Sequence, residues 1–287
     1  MELDKLKLPG KVTRYRVIND KRNKDNVKEV VTIPKIIFQT WKSRDDIPDK
    51  WISGQESIET YMSDWTHVIT DDDDNRNFIK EYYPEYLSKY DSFPYNIQRA
   101  DFVRPFLLYK FGGLYLDMDI EIQRPLDDLF TSDSEVFLVM SGNVTSCTTN
   151  SFMASKKGAE FWKIYFEEMC QELPFWCKFT KHFTIMKSTG PIAIHRAFQK
   201  HESSRSIVIL PAKLVMPCNI CNMTTTCDTS ESYIKPLQGS SWVTSWDTHF
   251  FNFTICCMYE IIFAVVVILI LIIMLILLNI LDKKRRR

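Results

Sequence analysis

Residues 100–119 limit the possible folds of this chain more than any other stretch. In their first half, apolar residues recur at helical spacing, at Phe102, Val103, Phe106, Leu107 and Phe111. Gly112-Gly113 follows, and glycine after the last periodic residue is typical of a helix C-terminus. Leu114-Tyr115-Leu116 then predicts a short buried strand, and Asp117-Met118-Asp119 comes directly after it.

Asp117 and Asp119 are candidate metal ligands. Two acids one residue apart at the end of a strand reach a common ion if the backbone bends there. Hard divalent cations prefer such carboxylate oxygens and often share them with phosphates. Asp-x-Asp alone is a weak signal, and a bare match is more often a surface turn with two solvated acids. The context favours a site, because open α/β sheets bind ligands beyond the carboxyl ends of their strands, and Asp101 and Arg104 lie one helical turn apart on the preceding helix.

Alternating strand and helix patterns over residues 31–250 predict an α/β domain with a mainly parallel sheet. Hydrophobic residues make up 45% of the 287 residues, which allows a substantial core. Residues 1–30 are charged and aperiodic, so we interpret them as a flexible, basic extension. Lysine plus arginine equal aspartate plus glutamate at 36 each, and this balance argues against a nucleic acid held mainly by charge.

Residues 261–281 form a run without charge in which Asn279 is the polar exception. At 1.5 Å per residue such a run spans about 30 Å, the thickness of a bilayer core. We therefore expect a transmembrane helix over 258–281 and a basic tail over 282–287. The predicted protein is single-pass, anchored by its C-terminal helix in a membrane of the ER or Golgi type.

The side of the membrane on which the large domain lies stays open, because two signals disagree. The first residues, Met1 to Lys7, lack the apolar segment of a cleavable signal peptide, and such a chain with a C-terminal anchor keeps its domain in the cytoplasm. The basic tail instead prefers the cytoplasm and would place the domain in the lumen. Sequons at Asn143, Asn222 and Asn252 would suit a lumenal glycoprotein.

Three of the eight cysteines lie close together at Cys218, Cys221 and Cys227. A structural zinc needs four ligands, and no fourth cysteine or histidine follows at the usual spacing. These residues form a loop disulfide if the chain is lumenal, and free thiols if it is cytosolic.

Three sequence blocks, in this order, resemble the family-32 glycosyltransferases. They are Ile33-Pro34-Lys35-Ile36-Ile37-Phe38-Gln39-Thr40-Trp41-Lys42, Arg99-Ala100-Asp101-x-x-Arg104 and Tyr109-Lys110-Phe111-Gly112-Gly113-Leu114-Tyr115-Leu116-Asp117-x-Asp119. That family includes initiating outer-chain mannosyltransferases, inositol-phosphoceramide mannosyltransferases and α-1,4-glycosyltransferases. The resemblance runs from about residue 30 to residue 245 and implies a GT-A-like nucleotide-sugar-binding fold and a retaining transfer reaction.

The resemblance also implies a divalent cation, Mn²⁺ or Mg²⁺, and a set of site residues. By position, Asp119 would bind the ion, and Asp117 would bind both the ion and the ribose or donor sugar. Asp101 and Arg104 match the pair that contacts the sugar and diphosphate of the donor. Trp41 matches an aromatic residue that stacks on the base in more distant relatives, although aromatic residues at such positions are more often part of the core.

Later parts of the chain match the family pattern less well. Ser241 and Trp242 match a Ser-Trp pair near the diphosphate, and Ser245-Trp246 is an equally good candidate. Phe38 stands where many members have histidine, and Pro105 stands where an aromatic residue is common. Neither change removes a metal ligand, and no catalytic base is identified.

We favour a membrane-anchored, metal-dependent glycosyltransferase that moves a hexose from a UDP- or GDP-sugar to a lipid or glycan acceptor. Departure of a nucleoside diphosphate leaves negative charge on phosphate oxygens, which a cation at Asp119 and the guanidinium of Arg104 would stabilise. A second hypothesis is a non-catalytic family member that binds a glycan or a partner. A third is a phosphohydrolase that uses the same acids and releases phosphate without an acceptor.

Overall fold

The computed structural model describes residues 33–130, 134–140, 148–201, 206–218, 221, 227–237 and 246–285. The chain divides into two compact units, with the boundary after residue 242. The predicted extension over residues 1–30 lies outside the described part of the chain, and the predicted domain bounds stay predictions.

The strands of the first unit form a six-stranded sheet and a small two-stranded sheet. The strands are β1 (Ile36–Thr40), β2 (Thr66–Thr70), β3 (Gly113–Leu116), β4 (Ile120–Ile122), β5 (Val136–Met140), β6 (Thr148–Ser155), β7 (Ile207–Leu210) and β8 (Ile234–Pro236). The large sheet has the order β2-β1-β3-β6-β5-β7, and its neighbours pair in parallel except that β6 is antiparallel to β3 and β5. Strands β4 and β8 pair antiparallel. The predicted α/β class with a mainly parallel sheet is confirmed.

Helices cover both faces of the large sheet. Those described in the first unit are α1 (Ile52–Tyr61), α2 (Asp72–Tyr82), α3 (Leu87–Ser92), α4 (Asn96–Phe111), α5 (Phe161–Cys170), α6 (Lys181–Ser188), α7 (Pro191–Lys200) and α8 (Ala212–Val215). Along each central strand, successive residues alternate between two apolar clusters: Tyr115 joins the α4 side, whereas Leu114 and Leu116 join the other. The sheet is therefore buried on both faces, as expected for parallel strands.

Helix α4 begins at Asn96, four residues before the predicted start at Ala100. The side chain of Gln98 accepts a hydrogen bond from the backbone N–H of Tyr95 at 3.3 Å, and the backbone N–H of Gln98 donates to the backbone oxygen of Tyr95 at 3.0 Å. Tyrosine is not a usual N-cap residue, so the sequence carried no clear start signal. Pro105 lies inside the helix; because it has no N–H, the helix lacks one backbone hydrogen bond there.

The glycine turn after α4 requires glycine at both positions. Gly112 and Gly113 have φ of 72° and 105°, which favour residues without a Cβ. A Cβ on Gly113 would lie 2.5 Å from the backbone oxygen of Ile36, and one on Gly112 would lie 2.7 Å from the backbone nitrogen of Lys157. The close approach of Gly113 to Ile36 is what allows β3 to pair beside β1.

One helix cap and one cysteine pair complete the described first unit. The acidic run at residues 71–74 caps α2: Asp71 accepts from the backbone N–H of Asp74 at 2.9 Å. Cys218 and Cys227 form a disulfide with Cα atoms 5.2 Å apart, which is the loop-disulfide alternative.

The second unit consists of α9 (Trp246–Cys256) and α10 (Met258–Arg285). Within the described residues, no helix has the length and apolar character needed to cross a membrane. The transmembrane helix predicted over 258–281 therefore has no support in the structure, and the anchor stays a prediction.

Candidate active site

A cavity of about 850 Å³ lies where strands β1 and β3 end. Thr40 and Trp41 at the end of β1 line it, as do Asp117 to Asp119 directly after β3. Asp101 and Arg104 reach it from α4. Its volume is in the range of sites that bind small molecules and cofactors. Because β1 and β3 are parallel, their carboxyl ends meet at one edge, which is where such sheets bind ligands.

Arg104 is the centre of a buried charge network. Its Nη2 lies 2.9 Å from Asp101 Oδ1, and its Nη1 lies 3.0 Å from Asp117 Oδ1. Nη1 also donates to the backbone oxygen of Asn150 at 2.9 Å, and the guanidinium carbon lies 4.6 Å from the centre of the Tyr115 ring. Most of its hydrogen-bonding capacity is thus directed at protein groups, so Arg104 is placed to hold the two acids in a fixed relation.

Asp101 and Asp117 have further hydrogen-bond partners besides Arg104. Tyr115 donates from its hydroxyl to Asp117 Oδ1 at 3.0 Å, and Gln39 Nε2 donates to the backbone oxygen of Asp117 at 3.1 Å. Thr189 donates from its hydroxyl to Asp101 Oδ2 at 3.2 Å. The sequence carried a signal for Gln39, because it is a polar residue that follows three apolar residues of β1. The structure buries it fully, and buried polar groups need hydrogen-bond partners.

The turn from Asp117 to Asp119 is held from both sides. The backbone N–H of Asp117 donates to Ser151 at 2.9 Å, and the backbone oxygen of Asp119 accepts from Leu237, just after β8, at 2.7 Å. The small second sheet thus helps to position the Asp-x-Asp motif. No sequence pattern indicated this contact, because β8 lies more than 110 residues further along the chain.

Burial raises the pKa values of all three acids. Burial, reinforced by the charge of Asp117, raises the pKa of Asp119 to about 7. Burial also raises the pKa of Asp117, although Arg104 opposes the shift. Burial raises the pKa of Asp101 to about 6, again against the effect of Arg104. The free-energy cost of removing these carboxylates from water is thus larger than the electrostatic stabilisation that the Arg104 guanidinium provides.

The charge balance of the site suits a divalent cation. Asp101, Asp117 and Asp119 carry three negative charges when ionised, against one positive charge on Arg104, and Asp119 makes no ion pair within the described residues. In the described part of the chain, no three His, Cys, Asp or Glu side chains are grouped to hold a metal. An ion at Asp117 and Asp119 would therefore take its other ligands from water or from phosphate oxygens, as Mg²⁺ typically does.

Trp41 also lines the cavity and is half-buried. Its ring packs edge-to-face on Trp51 with centroids 4.8 Å apart, and its Nε1 donates to the backbone oxygen of Asp46 at 2.7 Å. Lys50 also lines the cavity, and its ammonium lies 5.1 Å from the centre of the Trp51 ring. Trp41 is therefore both packed against a neighbour and open to a ligand, and its predicted stacking on a base stays a prediction.

The structure brings most of the predicted site residues to one cavity. Those that line it are Trp41, Asp101, Arg104, Asp117 and Asp119. Ser241 and Trp242, and the alternative Ser245, lie outside the described residues. Their predicted contact with a diphosphate stays a prediction, as do the individual roles of the other residues.

The part of the chain that carries Asp101, Arg104, Asp117 and Asp119 is similar to known proteins. Residues 48–136 match the family model for the glycosyltransferase sugar-binding region containing a DXD motif. The chain is 41% identical over 163 residues to inositol phosphoceramide mannosyltransferase 3 of Schizosaccharomyces pombe, which covers 56% of this chain and 43% of the relative. It is 30% identical over 219 residues to mannosyl phosphorylinositol ceramide synthase CSH1 of Saccharomyces cerevisiae, which covers 74% of this chain and 53% of the relative.

The chain spans about half the length of these curated relatives. Among solved structures, the PaToxG glycosyltransferase is similar over 59% of this chain and 70% of that chain, with 16% identity and a TM-score of 0.43. That level of similarity says nothing about activity. The match of residues 48–136 to the DXD-containing sugar-binding region confirms the predicted resemblance to the family-32 glycosyltransferases.

Proposed function

We propose that the protein transfers a hexose of the mannose type from a nucleotide sugar to a membrane lipid, in a metal-dependent and retaining reaction. The observation that carries this proposal is the cluster of Asp101, Arg104, Asp117 and Asp119 on one cavity, with two negative charges left for a cation to balance. The choice of sugar and lipid follows the names of two relatives, an inositol phosphoceramide mannosyltransferase and a mannosyl phosphorylinositol ceramide synthase.

Each residue of the cavity has a proposed role. Asp119 and Asp117 hold Mn²⁺ or Mg²⁺, which when bound would offset the negative charge on the phosphate oxygens of the departing nucleoside diphosphate. Arg104 keeps Asp101 and Asp117 in a fixed orientation, so that little reorganisation is needed when the donor binds. Asp101 contacts the donor sugar, and Trp41 stacks on the base of a UDP- or GDP-sugar.

Transfer assays on the purified full-length protein test this proposal. With inositol phosphoceramide as acceptor and Mn²⁺ present, we expect transfer from a labelled GDP- or UDP-hexose. Asp119→Asn should lower turnover by at least about 100-fold, because a catalytic cation supplies several kcal/mol of charge stabilisation. Asp128→Asn, a change of the same kind at an exposed carboxylate outside the cavity, should leave turnover unchanged.

Other outcomes would point to the competing hypotheses. Unchanged turnover in Asp119→Asn would refute the metal assignment. Release of phosphate from simple esters without any acceptor would indicate a phosphohydrolase. Failure with every UDP- and GDP-sugar, in a protein that still binds glycans, would indicate a non-catalytic member of the family.

We also infer a C-terminal membrane anchor from the sequence of residues 261–281, which carry no charge. This part of the proposal predicts that the full chain stays in the membrane pellet after alkaline carbonate extraction, whereas a chain ending before Met258 is released. Sensitivity of the full chain to an N-glycosidase would place the domain in the lumen of an endomembrane. Release of the full chain by carbonate would refute the anchor.

A further inference from the structure

An exposed group of aromatic side chains lies near the cavity and takes no part in the proposed reaction. We call Phe175, Trp176, Phe179 and Phe183 the aromatic patch; their exposed fractions are 70%, 58%, 74% and 37%. The ring of Phe175 contacts those of Trp176 and Phe179, with centroids 5.5 and 5.6 Å apart. Adjacent apolar side chains with this exposure indicate an interaction surface.

The aromatic patch is displayed by an ordered segment. Phe175 to Lys178 form a 3₁₀ helix whose Cys177 is buried, and Thr184 donates from its hydroxyl to the backbone oxygen of Cys177 at 3.0 Å. Thr180 caps α6 by accepting from the backbone N–H of Phe183 at 3.2 Å. The backbone of this segment is therefore held by Cys177, Thr180 and Thr184, while the four aromatic rings are exposed to solvent.

The charges around the aromatic patch are mostly positive. Residues 172–187 contain three lysines and one acid, Glu172. Lys178, whose side chain is 57% exposed, lies 3.5 Å from Glu172, and Lys187 lies 5.8 Å from the centre of the Phe183 ring. Aromatic rings flanked by lysines suit the boundary of a bilayer that contains anionic lipids, since the rings enter the headgroup region while the ammonium groups meet phosphates.

The aromatic patch is continuous with the wall of the cavity. Helix α6 begins beside the patch, and two of its residues, Lys181 and Ile185, line the cavity. Thr189, the residue after α6, donates to Asp101. At 1.5 Å per residue the eight residues of α6 span about 12 Å, so a surface held by the patch lies close to the acids.

We propose that the aromatic patch inserts into the surface of a bilayer containing anionic lipid and holds the adjacent cavity against that surface. The occupant is a lipid surface rather than a protein, because the patch combines aromatic side chains with lysines and adjoins a cavity open to small ligands. This contact goes beyond the proposed transfer reaction and does not depend on it.

Site-specific photocrosslinking of the full chain tests the contact. The protein carries p-benzoylphenylalanine in place of Phe179 and is illuminated with vesicles of phosphatidylcholine and phosphatidylserine in a three-to-one ratio. The control carries the same group in place of Tyr61, an aromatic residue on α1 that is 39% exposed. In mass spectrometry, the yield of lipid adducts at position 179 should be at least about fivefold higher than the yield at position 61. A fivefold ratio corresponds to about 1 kcal/mol, which is the attraction of one lysine to an anionic surface.

Two further arms make the result decisive. Vesicles of phosphatidylcholine alone should lower the adduct yield at position 179, because the lysines lose their partners. Phe175→Ser should also lower the adduct yield at position 179. Because Phe175 is exposed, the circular dichroism spectrum of this variant should match that of the unaltered protein. Equal yields at positions 179 and 61 would overturn the proposal, and a crosslink to a second copy would reassign the patch to self-association. Because no sugar transfer is measured, failure of the proposed function would leave this result intact.

Discussion

Replacing Asp101 by asparagine should make the folded protein more stable at neutral pH. Asp101 is 4% exposed and shares Arg104 with Asp117, so two carboxylates compete for one guanidinium. Burial, partly offset by Arg104, raises the pKa of Asp101 from its ordinary 3.8 to about 6. Asparagine is neutral at every pH and nearly the same size, so it removes the buried charge without leaving a void.

The pH dependence gives the expected size of the gain. Between pH 4 and pH 6 the folded state keeps a proton on Asp101 that the unfolded state has lost, so stability falls as the pH rises. The rise in the pKa of Asp101 from 3.8 to about 6 corresponds to about 3 kcal/mol of folding free energy. The stability of Asp101→Asn should therefore match that of the unaltered protein near pH 4 and exceed it by up to about 3 kcal/mol at pH 7.

Urea unfolding of the full chain at pH 4.5, 5.5, 6.5 and 7.5 measures this difference, with Asp128→Asn as the control at an exposed carboxylate. The reasoning is refuted if Asp101→Asn is less stable at pH 7.5 and its deficit does not change with pH. That result would mean that the ion pair with Arg104 fully offsets the free-energy cost of burying the Asp101 carboxylate. A gain in stability together with a loss of sugar transfer would show that the buried charge is kept for function.

Three other measurements address the rest of the domain. Burial lowers the pKa of His67 to about 4, so on acidification the unfolded state binds a proton there before the folded state does. In calorimetry the unaltered protein should therefore lose up to about 3 kcal/mol of stability relative to His67→Gln between pH 6.5 and pH 4. Gly113→Ala should lower the free energy of unfolding by about 2 kcal/mol or more, because a Cβ there would collide with the backbone oxygen of Ile36. Gly158 has a φ of 76° with open space around it, so Gly158→Ala should lower the free energy of unfolding by about 1 kcal/mol. Phe106→Ala should cost about 3–5 kcal/mol in urea unfolding, because its fully buried ring stacks on Phe166 at 3.8 Å, whereas exposed Phe175→Ala should cost almost nothing.

Local patterns were sufficient for the central elements. The apolar spacing of α4, the two glycines after it and the apolar residues of β3 predicted these elements to within a few residues. Each of these signals depends on neighbours in sequence, as does the capping of α2 by Asp71. The start of α4 was missed because its cap uses Tyr95 and Gln98, a pair that is not a common start signal.

The site was only partly predictable for the same reason. Asp101, Arg104, Asp117 and Asp119 were recognised from short motifs, and the parallel pairing of β1 with β3 brings them to one cavity with Trp41. The direction of the Arg104 guanidinium could not be predicted: it turns to Asp101, Asp117 and the backbone of Asn150, which lies 46 residues away. The side chain of Gln39 and the backbone N–H of Leu237 donate to the backbone oxygens of Asp117 and Asp119. Contacts to backbone atoms do not depend on the identity of the residue contacted, so sequence patterns do not reveal them.

Residue order alone thus established the class of domain, its central helix–glycine–strand unit and the two acids that end it, because these depend on spacing along the chain. The tertiary structure decided the charge balance of the cavity, the raised pKa values and the exposure of the aromatic patch. Those properties depend on which distant groups share a space from which water is excluded, and that is set by the packing of the whole domain.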